Sequence, residues 1–240
     1  MSGHSKWSQI KRQKTVTDKK RGNVFTKLAN TITIVARQGG TDPEMNFKLR
    51  LAIDKARAGN MPSDNIERAI QRGSGEAGGQ SLEEVIYEGY GAEGVAIIIE
   101  AATDSKNRTT AVIRNILNKH QGRLGNSGSV TWMFDKKGVI RILKSTVADS
   151  QGLELQAIDA GAEDLAVEVE GITILTAVND LVKVKSALEK AGQQIEMAEI
   201  EMVPKNKVQI SPGSQASLSK LFEELEECEE VSNYFNNAEI

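Results

Sequence analysis

The hydrophobic period of this chain changes at one place, the run GSGEAGGQ from Gly73 to Gln80, and that change decides what the chain can fold into. Ahead of the run, apolar residues recur at helical spacing. Beyond it, from about Val95, they form short strand-like runs alternating with helical ones. A stretch rich in Gly and Ser is a flexible joint between domains rather than part of either. The expected fold class is therefore α+β: an N-terminal three-helix domain followed by two ferredoxin-like α+β domains, one inserted in the other. The expected boundaries are residues 1–78 for the basic helical domain, 79–135 plus 205–240 for a discontinuous α+β domain, and 136–204 for the inserted one.

In the helical domain, Val24, Phe25, Leu28, Ile32 and Val35 mark a first amphipathic helix that stops at Gly39-Gly40. Asp42-Pro43 predicts the start of the second, with Asp as cap and Pro in the first turn. Its main stripe is Met45, Leu49, Ala52, Ile53 and Ala56, and a second strip (Phe47, Leu51, Ala58) lies nearly opposite. Such a helix is central in its bundle or docked on another domain. Pro62-Ser63 opens a third helix carrying Ile66, Ala69 and Ile70.

Beyond the joint, Val95 to Ala101 predicts a central strand, Asn107 to His120 a helix and Ser129 to Phe134 a strand. Gly138 to Leu143 opens a β-α-β-β-α-β series. It continues through a helix at 153–160, strands at 165–169 and 172–178, a helix at 180–191 and a strand at 195–202. A strand at 208–210, a helix at 217–228 and a strand at 231–235 complete the interrupted first set. The chain crosses between the sets near Asp135–Gly138 and again near Pro204–Lys207.

Charge is segregated along the same division. Residues 1–78 hold 15 Lys and Arg against 7 Asp and Glu, a net of +8; residues 79–240 hold 15 against 26, a net of −11. The natural partner of a basic domain is a polyanion, because each phosphate it neutralises releases condensed counterions. No apolar run approaches the ~18 residues of a membrane span, and no apolar segment of a signal peptide follows the basic N-terminus. The single cysteine, Cys228, excludes an internal disulfide and a multi-cysteine zinc site. No membrane partner, metal or other cofactor is expected, and the expected location is the cytoplasm.

Catalytic machinery is absent from the motifs. Two segments match G-x-G-x-x-G (Gly73, Gly75, Gly78 and Gly89, Gly91, Gly94), but neither lies between a strand and a helix, as a dinucleotide site requires. No H-E-x-x-H, P-loop or nucleophile elbow occurs, and the two histidines, His4 and His120, are far apart. Cys228 ends an acidic helix, which raises rather than lowers a thiol pKa. The chain reads as non-enzymatic, with no small-molecule substrate. One loop is richer: Asp104, Lys106, Asn107 and Arg108 crowd a strand-to-helix junction, where they form either a phosphate or carboxylate site or plain capping. The C-terminal helix opposes a core stripe (Leu218, Leu221, Phe222, Leu225) with six glutamates from Glu223 to Glu230. These form either a solvated face or a competitor for the basic arm.

GHSKW (3–7), KKRGNVFTKL (19–28), GGTDPEMN (39–46), NMPSDNIERAIQRGSGE (60–76), YEGYG (87–91), DSKNRT (104–109) and GNSGSV (125–130) together resemble the YebC/PmpR family across essentially the whole chain. Phe47, Ser105 and Ala92-Glu93 depart from its usual pattern. The resemblance implies a helical domain followed by two α+β domains. It also implies a DNA-binding regulator of transcription. Other members resemble translation factors acting on the ribosome, including a mitochondrial activator of cytochrome oxidase synthesis and bacterial factors that ease stalling at proline-rich stretches. The motif begins at the first residues, which favours a bacterial member without a transit peptide.

The expected function is thus a nucleic-acid-binding regulator of gene expression, with DNA as partner or, alternatively, ribosomal RNA and the ribosome. Lys6, Lys11, Arg12, Lys14, Lys19, Lys20 and Arg21 are expected to contact phosphates, with Lys27, Lys48, Lys55, Arg57, Arg68 and Arg72 extending the footprint. Trp7 either stacks on an unpaired base or folds back onto the bundle as an anchor. Asp104, Lys106, Asn107 and Arg108 are the second candidate site.

Overall fold

The computed structural model describes Trp7 and residues 18–75, 82–147 and 149–239, with 18–20 described by their backbone. The chain divides into two compact units: one on Gln9–Met133 and Asn206–Ile240, the other on Phe134–Lys205 with the N-terminal residues that include Trp7.

The larger unit begins with three helices, α1 (Asp18–Gly39), α2 (Phe47–Ala58) and α3 (Ser63–Ser74). Leu28, Ile32 and Ala36 of α1 pack on Leu49, Ile53 and Ala56 of α2 and on Ile66 and Ala69 of α3. Close approach is enforced at Gly73, where a Cβ would stand 2.6 Å from that of Ala36. Gly73 and Ser74 thus belong to a packed helix end, and only Gly75, left-handed at φ 86°, turns the chain out. The second helix starts later than Asp42-Pro43 predicts. Asp42 closes a single turn by accepting from the N–H groups of Met45 and Asn46. The cap is buried Asn46, which accepts from Leu49 N–H at 3.1 Å and donates to the carbonyls of Val35 and Gly40.

The α+β part of this unit contains β1 (Glu83–Tyr90), β2 (Ala96–Thr103), α4 (Lys106–Lys119) and β3 (Arg123–Leu124). The segment at 129–134 is not the predicted strand. Residues 131–133 form a short 3-10 turn, and β1, which apolar spacing does not reveal, joins the sheet instead.

The smaller unit runs β4 (Phe134–Leu143), α5 (Ser150–Ala160), β5 (Asp164–Val167), β6 (Gly171–Thr176), α6 (Leu181–Lys190) and β7 (Ile195–Pro204). Its sheet order, β5-β6-β4-β7 with every pair antiparallel, is the ferredoxin-like arrangement. Ile140, Ile142, Ile172 and Ile174 bury one face. On the other, Arg141 is fully buried and forms a two-pronged ion pair with Glu201. Burial opposes the guanidinium charge, but Glu201 outweighs it and raises the pKa.

The chain then returns to the larger unit as β8 (Val208–Gln209), α7 (Pro212–Glu227), β9 (Val231–Asn236) and β10 (Ala238–Glu239). The four-stranded sheet reads β3-β1-β2-β9, again antiparallel throughout, while β8 and β10 pair apart from it. Its spatial order matches that of the smaller unit, with β1 supplying from ahead of the set a strand that the usual order places between β3 and α7. Ile97, Ile99 and Ala101 of β2 meet α4 and α7 in one core. The alternate residues Ala96, Ile98 and Ala102 are also buried, and α1 lies against β2 and β9. A strand covered on both faces explains the unbroken apolar run.

α1 is also tied to the end of α7. Lys27 donates to the Glu226 carbonyl at 2.5 Å and Asn23 to that of Glu227 at 2.7 Å, satisfying carbonyls left over at a helix C-terminus. Burial lowers the Lys27 pKa to about 8, against partial support from Cys228 and Glu226. Burial raises the Cys228 thiol pKa.

Two outcomes follow from this packing. Asn46→Ala removes a cap and two buried donors and lowers unfolding free energy by about 2–3 kcal/mol in chemical denaturation; a loss below about 0.5 kcal/mol would contradict the role assigned to it. Lys27 has a folded pKa below its unfolded one, so the unfolded chain binds more protons between about pH 8 and 10.5. Stability of the parent relative to Lys27→Met is then flat below pH 8. Above it, relative stability rises by about 1.4 kcal/mol per pH unit up to the unfolded pKa. Both proteins carry Cys228→Ala for this comparison, because the thiol interacts with Lys27 and would act in the opposite sense.

Candidate nucleic-acid interface

The helical domain presents its cations outward. Lys48 and Arg57 of α2 and Arg68 and Arg72 of α3 are exposed, opposite the buried positions Leu49, Ile53, Ile66 and Ala69. Arg21 is exposed at the start of α1, and Arg68 donates back to the Asp64 carbonyl at 3.1 Å. Lys19 and Lys20 lie in the first turn of α1. Lys6, Lys11, Arg12 and Lys14 lie outside the described residues.

Two expected contacts are corrected. Lys27 is held in the α1–α7 junction with its ammonium on a carbonyl, beside half-buried Lys55, and is not available to phosphate. Trp7 is fully buried rather than open to a base, and it does not anchor on the helical bundle. Its indole N–H donates to Glu168 at 2.7 Å, and a Cβ at Gly171 of β6 would collide with its ring. That seat lies on the face of the smaller unit's sheet that carries Arg141.

The loop at 104–108 is also not an open phosphate cup. Arg108 pairs with Asp104 at 2.6 Å and Glu230 at 2.8 Å, and Lys106 pairs with Glu83 at 2.7 Å. These hydrogen bonds raise the pKa of both cations. Asn107 is exposed on the first turn of α4, and Ser105 rather than Asn107 stands at the cap. Each cation already has carboxylate partners, so a phosphate has to displace them.

The acidic face of α7 is similarly engaged. Glu224 receives Lys119 at 2.9 Å and the His120 ring at 2.6 Å, and Glu226 accepts from the Tyr234 hydroxyl at 2.9 Å. His120, one of two histidines, is thus a partner of that helix.

Sequence reasoning missed a second cluster. Glu88 on β1 is buried, and its carboxylate accepts from the N–H groups of Gly128 at 2.6 Å, Val130 at 2.7 Å and Thr131 at 2.9 Å. Burial alone raises a carboxyl pKa. The bonds from Val130, Gly128 and Thr131 outweigh this and hold Glu88 below the ordinary range. The loop so fixed carries Trp132 at 67% exposure. The signal available in the sequence is a tryptophan in a chain with only two, which an apparent strand at 129–134 disguises as a core residue.

Among the described residues, no helix is long and apolar enough to cross a membrane. The family descriptions matching this chain are the TACO1/YebC protein N-terminal domain over residues 5–76 and the TACO1/YebC second and third domain over residues 82–238. A probable transcriptional regulatory protein of Thermoanaerobacter pseudethanolicus is 52% identical over all of this chain and 98% of its own length. One of Caldanaerobacter subterraneus subsp. tengcongensis is 50% identical over 100% and 99%. The crystal structure of a conserved hypothetical protein from Aquifex aeolicus superposes with a TM-score of 0.89 at 43% identity, covering 98% of this chain and 96% of that one. With both family domains matched in order and relatives at half identity along its whole length, this chain belongs to the TACO1/YebC family.

Proposed function

We propose that this protein is a non-enzymatic, nucleic-acid-binding regulator of gene expression whose helical domain grips phosphates, most directly as a DNA-binding regulator of transcription. The observation that carries the proposal is the separation of charge. Residues 1–78 have a net charge of +8, with Lys48, Arg57, Arg68 and Arg72 exposed, while cations of the rest of the chain such as Arg108, Lys119 and Arg141 are paired with carboxylates. Net positive charge, which draws a polyanion, is thus confined to the N-terminal domain. The names carried by the relatives from Thermoanaerobacter and Caldanaerobacter support regulation of transcription.

A second reading, a factor bound to ribosomal RNA on the ribosome, is favoured by the shape of the bundle. Its last helix, α3, buries Gly73 against α1, and its exposed face sets Asp64 and Glu67 beside Arg68 and Arg72, carboxylates that a helix in a DNA groove would have to bring against the phosphates. Phosphate contacts position a protein but carry no sequence information.

Binding to duplex DNA should weaken with salt, log K falling against log[salt] with a slope of roughly −5 if about six phosphates are neutralised. Replacing Lys48, Arg57, Arg68 and Arg72 by Gln should shrink that slope by about 1 for each phosphate no longer neutralised. Anisotropy titrations at four salt concentrations measure both. A flat dependence in the parent protein would defeat the proposal. A clear preference for structured ribosomal RNA over duplex DNA at equal salt would select the second reading.

A further inference from the structure

We infer that the outer edge of β5, with the exposed side chains of α5 beside it, docks a basic segment of a partner protein that adds there as a further strand. The segment's apolar residues lie on Ile158 and Val167, and its Lys or Arg residues meet the surrounding carboxylates. This surface belongs to the smaller unit and is independent of the phosphate grip proposed for the helical domain.

The apolar side chains here are not needed by the fold. Seven large apolar residues are well exposed among the described residues, and four of them (Leu155, Ile158, Val167 and Val169) fall within residues 155–169, each 50–74% exposed. An exposed apolar patch with a polar rim marks a contact surface. A different stripe, Leu153, Ala157 and Ala160, seats α5 in the unit. Gln193, just past α6, donates to Gln156 at 3.2 Å, so α6 lies on the Gln156 side of α5. At about 100° per residue, Glu154 and Ile158 fall on the opposite side, toward the edge formed by β5, with Leu155 next to them.

Among the described residues, β5 is the outermost strand of the order β5-β6-β4-β7. Leu165 pairs with Ile174 and Val167 with Ile172, so both point to the same face as those isoleucines. Helices cover that face, since Leu181 of α6 stands where a Cβ at Gly138 would point, in line with Ile140 and Ile142. Val167 therefore lies on the α5 side of the sheet. Glu168 N–H donates to the Gly171 carbonyl at 2.8 Å, and bonded pairs alternate along an antiparallel ladder. That alternation turns the N–H and C=O of Val167 away from β6. A strand edge with outward backbone groups and an apolar flank is a template for another strand.

Charge decides the occupant. Residues 145–182 contain eight Asp and Glu and no Lys or Arg. Glu154, Asp159 and Asp164 are exposed around the apolar side chains. Two cations approach from outside this stretch: Lys137 is paired with Glu163 at 2.6 Å, and the Lys183 ammonium lies near Gly161 at the end of α5. Such a face repels nucleic acid and anionic lipid and attracts a basic protein. It also disfavours a second copy of this chain. Antiparallel pairing of two β5 strands centred on Ala166 sets Asp164 of one against Glu168 of the other, and like charges directly opposite are destabilising. A strand alternating apolar and basic residues meets both demands. Its apolar side chains extend the helix-covered face, and its cations take the opposite face, where Asp164 lies.

The test uses full-length protein and two fluorescein-labelled nine-residue peptides, one alternating Lys with Val and the other Glu with Val. Anisotropy titration should show binding of the Lys-Val peptide that weakens with salt, and no binding of the Glu-Val peptide. Ile158→Lys, and separately the double substitution Leu155→Ser with Ile158→Ser, should each weaken Lys-Val binding by about 10-fold, as expected for loss of a central apolar anchor. Duplex DNA affinity should stay within about twofold of the parent, since distant sites act independently. Because both side chains are exposed, the variants should keep the parent's circular dichroism spectrum and melting curve. Hydrogen exchange at the Val167 amide of the parent should slow when the Lys-Val peptide is bound. Binding without that protection would overturn strand addition at β5. Equal binding of the two peptides, or undiminished binding by the variants, would overturn the inference as a whole. A parent dimer that Ile158→Lys converts to monomer in sedimentation would overturn it in favour of a second copy. Binding of neither peptide would overturn it and leave the duplex grip untouched.

Discussion

The larger unit depends on one pairing, that of β2 with β9. Residues 97–101 meet residues 231–236 across more than half the chain, with residues 134–205 of the smaller unit threaded between. The pairing is reinforced at both ends: Ala102 N–H donates to the Glu230 carbonyl at 2.8 Å, and Ala96 N–H donates to the Asn237 side chain at 2.8 Å. Without it, β2 loses a neighbour, the core loses Val231 and Tyr234, and α7 loses its place under the sheet. The end of α7 receives Lys27 and Asn23, so the helical domain's docking inherits the same dependence. A late strand closing an early sheet is a contact of high sequence separation, which slows folding.

Closure also governs where charge is exposed. Glu230 lies between α7 and β9 and from there neutralises Arg108; Glu224, on α7 itself, neutralises Lys119 and contacts His120. Lys27 is withdrawn from the surface by the same helix. In the smaller unit, Arg141 is internal to a sheet. Cations that remain outward include Lys48, Arg57, Arg68 and Arg72 on α2 and α3, and Arg114, Arg123, Lys144 and Lys183 on a body whose net charge is negative. The acidic C-terminal helix therefore shapes the electrostatic surface by local pairing of the body's own cations.

Much of the architecture is legible in the sequence because it rests on period and punctuation. The three helices, the paired α+β units and the insertion of one in the other follow from apolar spacing and from glycine stops such as Gly39-Gly40, where Gly40 is left-handed. The failures have physical causes. Asp42-Pro43 looks like a helix start, yet the buried amide of Asn46 makes three bonds at once and wins the cap. The strand β1 mixes Glu, Gly and Tyr because its glutamates serve other groups: Glu88 holds a loop and Glu83 pairs with Lys106. The segment 129–134 has strand composition but is bent by the bonds to Glu88, which no local pattern reveals. Of the candidate site, charge and its outward face on the helices are readable. The burial of Trp7 and Lys27 is not, since each is decided by partners more than 150 residues away.

The central claim is that phosphate contact is concentrated on the helical domain. It is tested most directly by ultraviolet crosslinking of the full-length protein to bound nucleic acid in cell lysate, with the crosslinked peptides mapped by mass spectrometry. The account predicts crosslinks concentrated in residues 1–78. Crosslinks confined to residues 134–205 would contradict it.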